Sequence, residues 1–267
     1  MEVEIYQVDA FTSELFKGNP AGVCITKEPL SEPLMLSIAS EMALSETAFL
    51  TLSDMRLRWF TPEVEVKLCG HGTLSVVNVM KEQGLVQVGD TIAFQTLSGE
   101  LIAKVGESST EPDFPAPELD FTLPVNEDLL SNLGLSRDDV VAYCGFASKV
   151  LIQVKCEQVV HDIKPNFSGL KSIEGRGVAV TASSEQSSLD FVSRYFAPWV
   201  GIDEDPVTGS AHCGLTQFWA QATSRTQFSA YQASARGGYL STELTPNGRV
   251  KLVGDCRTIL RGTMIVA

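Results

Sequence analysis

The sequence predicts an α/β (α+β) protein of two pseudo-symmetric domains, each a twisted sheet curled around a central helix. Three observations carry this. Arg58-Trp59-Phe60-Thr61-Pro62, leading into Cys69-Gly70-His71-Gly72-Thr73, is echoed by Arg194-Tyr195-Phe196-Ala197-Pro198, leading into Thr208-Gly209-Ser210-Ala211. The two stretches lie about half a chain length apart, so the chain reads as duplicated. After each glycine turn comes a segment with scarcely any polar face: Leu74, Val76, Val77, Val79 and Met80 in the first copy, and Leu215, Phe218, Trp219, Ala220 and Ala222 in the second. A helix that is apolar all round is buried all round, and a sheet wrapped around it meets that demand.

The elements follow in order. Residues 3–11 alternate and are rich in β-formers, which predicts a strand half buried on one face. Residues 17–22, with two glycines and a proline, break it, and residues 23–25 resume. Ser31 is a candidate N-cap with Pro33 just inside, and Leu34, Ile38 and Met42 recur at helical spacing, predicting a helix that ends at Ser45-Glu46. Residues 47–52 then read as a strand. Residues 107–118, rich in Ser, Pro, Glu and Asp, read as the linker between halves. Asn247-Gly248, between residues 240–244 and 250–253, signals a late hairpin. The domains are expected at 1–115, rejoined by 258–267, and at 116–257.

Composition excludes several functions. The 267 residues are 44% hydrophobic and 20% charged, enough for a substantial core. A formal net charge of −13 argues against nucleic acid, whose phosphates require clustered Lys and Arg. No stretch approaches the roughly 18 apolar residues that span a bilayer, and the N-terminus lacks a signal peptide's basic and apolar regions, so no membrane partner and a cytoplasmic location are expected. The six cysteines are scattered, and with three histidines no zinc-ligand spacing emerges, so no metal is assigned. No cofactor is assigned either. Gly70-His71-Gly72 lacks the third glycine of a dinucleotide fingerprint and the acidic residue that would hold a ribose.

Each glycine turn leaves the first amides of the following helix pointing outward, a ready site for a carboxylate or phosphate. Two such turns facing each other would grip one small anion. Turns of this kind are also ordinary connectors, and the repetition is what points to function. Glu46 stands where a helix hands over to a strand. In a cleft its charged form would be disfavoured, suiting it to proton transfer in both directions, whereas at an open helix end it would be merely solvated. His71 lies inside the first turn, either as a second proton donor or as a helix cap. Asp205 and Ser210 flank the second turn. Asp205 would cap the following helix or orient His71, and Ser210 would donate to a substrate carboxylate.

These residues resemble the phenazine-biosynthesis PhzF-like family, relatives of diaminopimelate epimerase. The matching pieces are Asp9-Ala10-Phe11-Thr12 with Gly18-Asn19-Pro20-Ala21, Ser45-Glu46-Thr47-Ala48-Phe49 and the first turn region. In the second half they are Tyr195-Phe196-Ala197-Pro198, Glu204-Asp205-Pro206-Val207-Thr208-Gly209-Ser210-Ala211-His212 and Arg236-Gly237-Gly238. They span nearly the whole chain in order. The resemblance implies two similar domains with the active site in the cleft between them, a C-terminal strand returning to the first domain, and a homodimer. It carries the family's acid/base glutamate onto Glu46. The related epimerases use two facing cysteines. Here Cys69 takes the first place but Thr208 the second, and a threonine hydroxyl does not titrate near neutrality. His71-Gly72 also departs from the family's frequent His-Ala, a change read as small enough to preserve the turn.

The expected activity is therefore a cofactor-independent isomerase that moves a proton within a small anionic, carboxylate-bearing substrate. Glu46, His71, Asp205 and Ser210 are the candidate catalytic residues. Asn19, Gly70, Gly72, Thr73, Thr208 and Gly209 are the candidate substrate contacts. A racemase or epimerase of a small acid, and a non-catalytic binding protein on the same fold, are the alternatives.

Overall fold

The computed structural model describes residues 1–107 and 109–266. Ser108, inside the segment read as linker, and Ala267, in the expected C-terminal return, lie outside the described residues. The chain divides into two compact units, Met1–Phe114 with Lys251–Ala267, and Pro115–Val250. The first unit thus regains the chain at Lys251, earlier than Thr258.

In the first unit, β1 (Glu2–Ala10) and β2 (Asn19–Thr26) are antiparallel, and α1 (Glu32–Met42) leads to β3 (Thr47–Thr51), which lies parallel to β2. β4 (Arg56–Phe60) and the short β5 (Glu65–Val66) follow antiparallel. Then α2 (Gly70–Glu82) crosses to β6 (Thr91–Thr96), parallel to β4, and on to β7 (Gly99–Val105) and β8 (Ser109–Pro115). The C-terminal strand Arg249–Ile265 pairs with β1, Glu2 opposite Ile265, and also neighbours β8, so the strands close around α2. Ten consecutive residues of α2, His71 to Met80, are buried, in line with an apolar pattern that leaves scarcely any polar face.

The second unit repeats this plan. After α3 (Glu127–Leu133), β9 (Val140–Phe146) and β10 (Lys149–Val154) are antiparallel. The short helices α4 (Glu157–Asp162) and α5 (Phe167–Lys171) lead to β11 (Val178–Ser183), parallel to β10. β12 (Phe191–Ala197) and the short β13 (Ile202–Glu204) are antiparallel to what precedes them. Then α6 (Gly209–Thr223) crosses to β14 (Gln227–Gln232), parallel to β12, and β15 (Gly238–Leu244) closes the run. Every strand pairing from β1–β2 to β6–β7 thus has its counterpart from β9–β10 to β14–β15.

The repeated arginines have a structural reason. Arg58 on β4 makes a two-pronged pair with Glu65 on β5, at 2.7 and 2.6 Å, and lies over the Phe60 ring. Arg194 on β12 does the same with Glu204 on β13, at 2.7 and 3.0 Å, over Phe196. Each fork-to-fork contact holds the short strand that delivers the chain to its central helix. Glu65, not singled out in the sequence, and Glu204, which opens the second motif without an assigned role, complete the device.

Some expectations shift. Residues 109–115, read as linker, form β8, because an acidic, proline-bearing segment can still occupy a strand. β2 begins at Asn19, inside the expected break. Gly18 makes the last bend into it, at φ +68° with the Ala10 carbonyl packed where a Cβ would sit. The first helix stops at Met42, with Ala43 in left-handed geometry, short of Ser45-Glu46. Ser31 is its N-cap by backbone conformation, but its side chain makes no capping bond. Ala222 is exposed in the last turn of α6, where the helix emerges from its sheet. The late hairpin forms as read, with Gly248 at φ +73°. Among the described residues, no helix is long and apolar enough to cross a membrane.

Candidate active site

Glu46 lies in the turn between α1 and β3, its carbonyl fixed by the Gly22 amide at 3.0 Å. Its carboxylate Oε2 lies 3.4 Å from His71 Nε2, with the Glu46 side chain 19% exposed and that of His71 8%. Ser45 Oγ is 3.5 Å from the same nitrogen. Both contacts are long for hydrogen bonds. The carboxylate and imidazole, 25 positions apart in sequence, are together because β3 runs beside β2 while α2 packs against both.

Cys69, which holds the place of the first epimerase cysteine, has a structural role in the turn. It is the N-cap of α2, its Sγ accepting the Gly72 amide at 3.3 Å, and it lies 3.5 Å from His71 Nδ1. Gly72 is not freely exchangeable for alanine in this chain. A Cβ there would meet Trp59 at 2.9 Å and the Cys69 sulfur at 3.0 Å, so the departure from His-Ala goes with the bulk of Trp59. Thr73 is buried and donates its hydroxyl to the Cys69 carbonyl at 2.7 Å, which ties it into the helix's own bonding. With Gly72 bonded to sulfur and Thr73 to the Cys69 carbonyl, the amides of Gly70 and His71 remain as the first-turn donors of α2. Asn19 is fully buried at the head of β2, opposite Ala10.

In the second unit, Thr208 is the N-cap of α6, the place Cys69 holds in the first, which supports the alignment of the two turns. Its side chain makes no capping bond. Its hydroxyl donates instead to Asp205 Oδ2 at 2.5 Å. Asp205 therefore anchors the cap residue rather than capping the helix itself. Gln232, buried at the end of β14, completes the turn: its Oε1 accepts the Thr208 amide at 2.9 Å and its Nε2 donates to the Asp205 carbonyl at 2.6 Å. No sequence signal marks Gln232. Gly209 opens the helix, and Ser210 is exposed in its first turn, accepting from Lys149 Nζ at 2.7 Å. Burial pushes the Lys149 ammonium down to about 8, against the pull of Cys213 and Asp205. Lys149 sits beside a β9–β10 turn and its role was not legible in the sequence.

His212 is wholly buried, its Nδ1 donating to the Thr208 carbonyl at 2.9 Å, and burial holds its pKa down at about 4. It is neutral at ordinary pH, and that pKa is below the unfolded value near 6.5. The unfolded chain therefore takes up the proton first. Stability is fully present above about pH 6.5 and falls as the pH drops towards 4, by about 3 kcal/mol in all. Urea unfolding at pH 7 and pH 4.5 measures this. Replacing His212 by Asn should flatten that part of the pH dependence, and an unchanged slope would show that other groups carry it.

The chain matches the model of the PhzC-PhzF family, described as phenazine biosynthesis-like protein, over residues 8–263. It is 42% identical to an uncharacterized isomerase of Halalkalibacterium halodurans, covering all of both chains, and 38% identical to the human phenazine biosynthesis-like domain-containing protein, covering 99% of each. A crystal structure of a PhzF-family phenazine biosynthesis protein from Enterococcus faecalis superposes with a TM-score of 0.91 at 38% identity, covering 99% of this chain and 100% of that one. The near-complete coverage includes both halves of the duplicated plan and both glycine turns, and the chain belongs to the PhzF-like, phenazine biosynthesis-like family.

Proposed function

We propose that the protein is a cofactor-independent isomerase that moves a proton within a small carboxylate-bearing substrate by general acid/base catalysis at Glu46. The observation that carries the reading is the Glu46–His71 pair, 3.4 Å apart at the N-terminus of a buried helix. A carboxylate facing an imidazole can take a proton from carbon and return it while the neighbouring ring steadies the charge. The amides of Gly70 and His71, at the positive end of α2, suit a substrate anion or a developing enolate. In this reading Ser210 and the first amides of α6 bind a carboxylate, with Asp205 and Gln232 fixing their turn. A two-thiol racemisation is not favoured, because the N-cap matching Cys69 is Thr208. The proposal extends to a cytoplasmic homodimer.

The relatives named isomerases fit this reading. Proton NMR of small unsaturated carboxylic acids incubated with the purified protein tests it. A product with a migrated double bond is expected. Inversion at one stereocentre without migration would replace the isomerase by an epimerase, and saturable binding with no product would favour the non-catalytic alternative.

A further inference from the structure

The sequence shows no zinc-ligand spacing, yet the fold builds a three-donor cluster in the first unit. Glu46, Cys69 and His71 each offer one ligand atom, and these atoms lie within 4.8 Å of one another. Cys69 and His71 are buried and Glu46 half-buried. We propose that this cluster binds a borderline-soft divalent cation of the zinc type, and that the bound ion blocks proton transfer. The blocking rests on the isomerase reading given above; the binding does not.

The donor set suits that class of ion. A thiolate, an imidazole and one carboxylate oxygen are zinc's ordinary ligands, whereas magnesium and calcium require oxygens. Bonds of about 2.0–2.3 Å at tetrahedral angles place neighbouring donor atoms about 3.3–3.6 Å apart. The Glu46 Oε2 to His71 Nε2 separation is 3.4 Å, Cys69 Sγ to the same nitrogen is 3.9 Å, and all the donor atoms lie within 4.8 Å, so closing the set takes side-chain adjustment of Glu46 and Cys69 as well as a turn of the ring. Three protein ligands leave a fourth position for water or a substrate oxygen. On binding, the Cys69 thiol proton leaves to solvent as the sulfur–metal bond forms. The ion then occupies the lone pairs with which Glu46 and His71 would handle the substrate proton.

Cobalt(II) is the probe. Titrated into the chelator-treated full chain, it should give a thiolate-to-cobalt charge-transfer band and the intense visible bands of four-coordinate cobalt, saturating at one ion per chain and displaced by Zn2+. Cys69→Ser should abolish the charge-transfer band, and His71→Asn should weaken binding roughly tenfold or more. Near-UV circular dichroism of both variants reports whether the fold is kept. Absence of the band in the wild-type chain, or its persistence in Cys69→Ser, would overturn the site. If both variants fail to fold, Glu46→Gln gives the same test through a weakened affinity, and an unweakened one counts against the site. Zn2+ should also abolish turnover, reversibly with chelator. Cobalt binding with turnover untouched by Zn2+ would overturn the blocking role and count against Glu46 and His71 as the catalytic pair, while leaving the metal site standing.

Discussion

Glu46→Gln is expected to abolish turnover while leaving the fold nearly unchanged. The amide keeps the size of the carboxylate, and the anchor of this residue is its backbone carbonyl on the Gly22 amide, which the substitution leaves in place. What it removes is the ability to accept a proton and return it. His71→Ala should be milder, about 10²-fold in kcat, the range for removing an assisting acid or base. The urea midpoint of Glu46→Gln should stay close to that of the wild type. Wild-type kcat in Glu46→Gln would show that the carboxylate has no chemical role, and a larger loss in His71→Ala would exchange the two assignments.

Arg194→Met is expected to cost about 3 kcal/mol of stability, read as a lower urea midpoint. Arg194 and Glu204 have side chains only 13% and 19% exposed. Besides the carboxylate, the guanidinium satisfies the Val160 and Ile163 carbonyls, the latter at 2.7 Å. Methionine fills much of the space but leaves a half-buried carboxylate without its counter-charge, which is the expensive part of breaking such a pair. The double variant Arg194→Met with Glu204→Leu should therefore recover the part of the loss due to the orphaned carboxylate, but not the part due to the Val160 and Ile163 carbonyls. A single-variant cost below about 1 kcal/mol would place this pair among surface ion pairs of little consequence.

The duplicated plan was legible because the physics that enforces it is local. The aromatic strand, the turn and the all-round apolar helix each leave a pattern in sequence, and both copies leave the same one. The hairpin at Asn247-Gly248 was legible for the same reason, since the turn requires a residue at positive φ. The linker reading failed at residues 109–115 because pairing with β7 overrides a composition that favours loops.

In the site, Glu46 and His71 were legible as separate candidates, the first through a family resemblance and the second through its turn. Their contact was not, because it depends on how α2 packs on β2 and β3. Cys69 as an N-cap lay just outside the usual capping residues. Gln232, Lys149 and Glu65 act across strands, and nothing in their immediate sequence marks them; Glu204 stands in a recognisable motif, but its pairing with Arg194 does not show there. The three-donor cluster escaped for the same reason: Cys69 and His71 are two positions apart, but their third member is supplied by another element.

Proton transfer to and from carbon through Glu46 is the central claim, and deuterium incorporation tests it most directly. A substrate identified by NMR is converted in deuterated water, and the label on carbon is measured in product and in recovered substrate, for the wild-type chain and Glu46→Gln side by side. The account predicts carbon-bound deuterium in the wild-type reaction, at the position to which the proton migrates, and none above background with Glu46→Gln. Equal incorporation by the two proteins would contradict it.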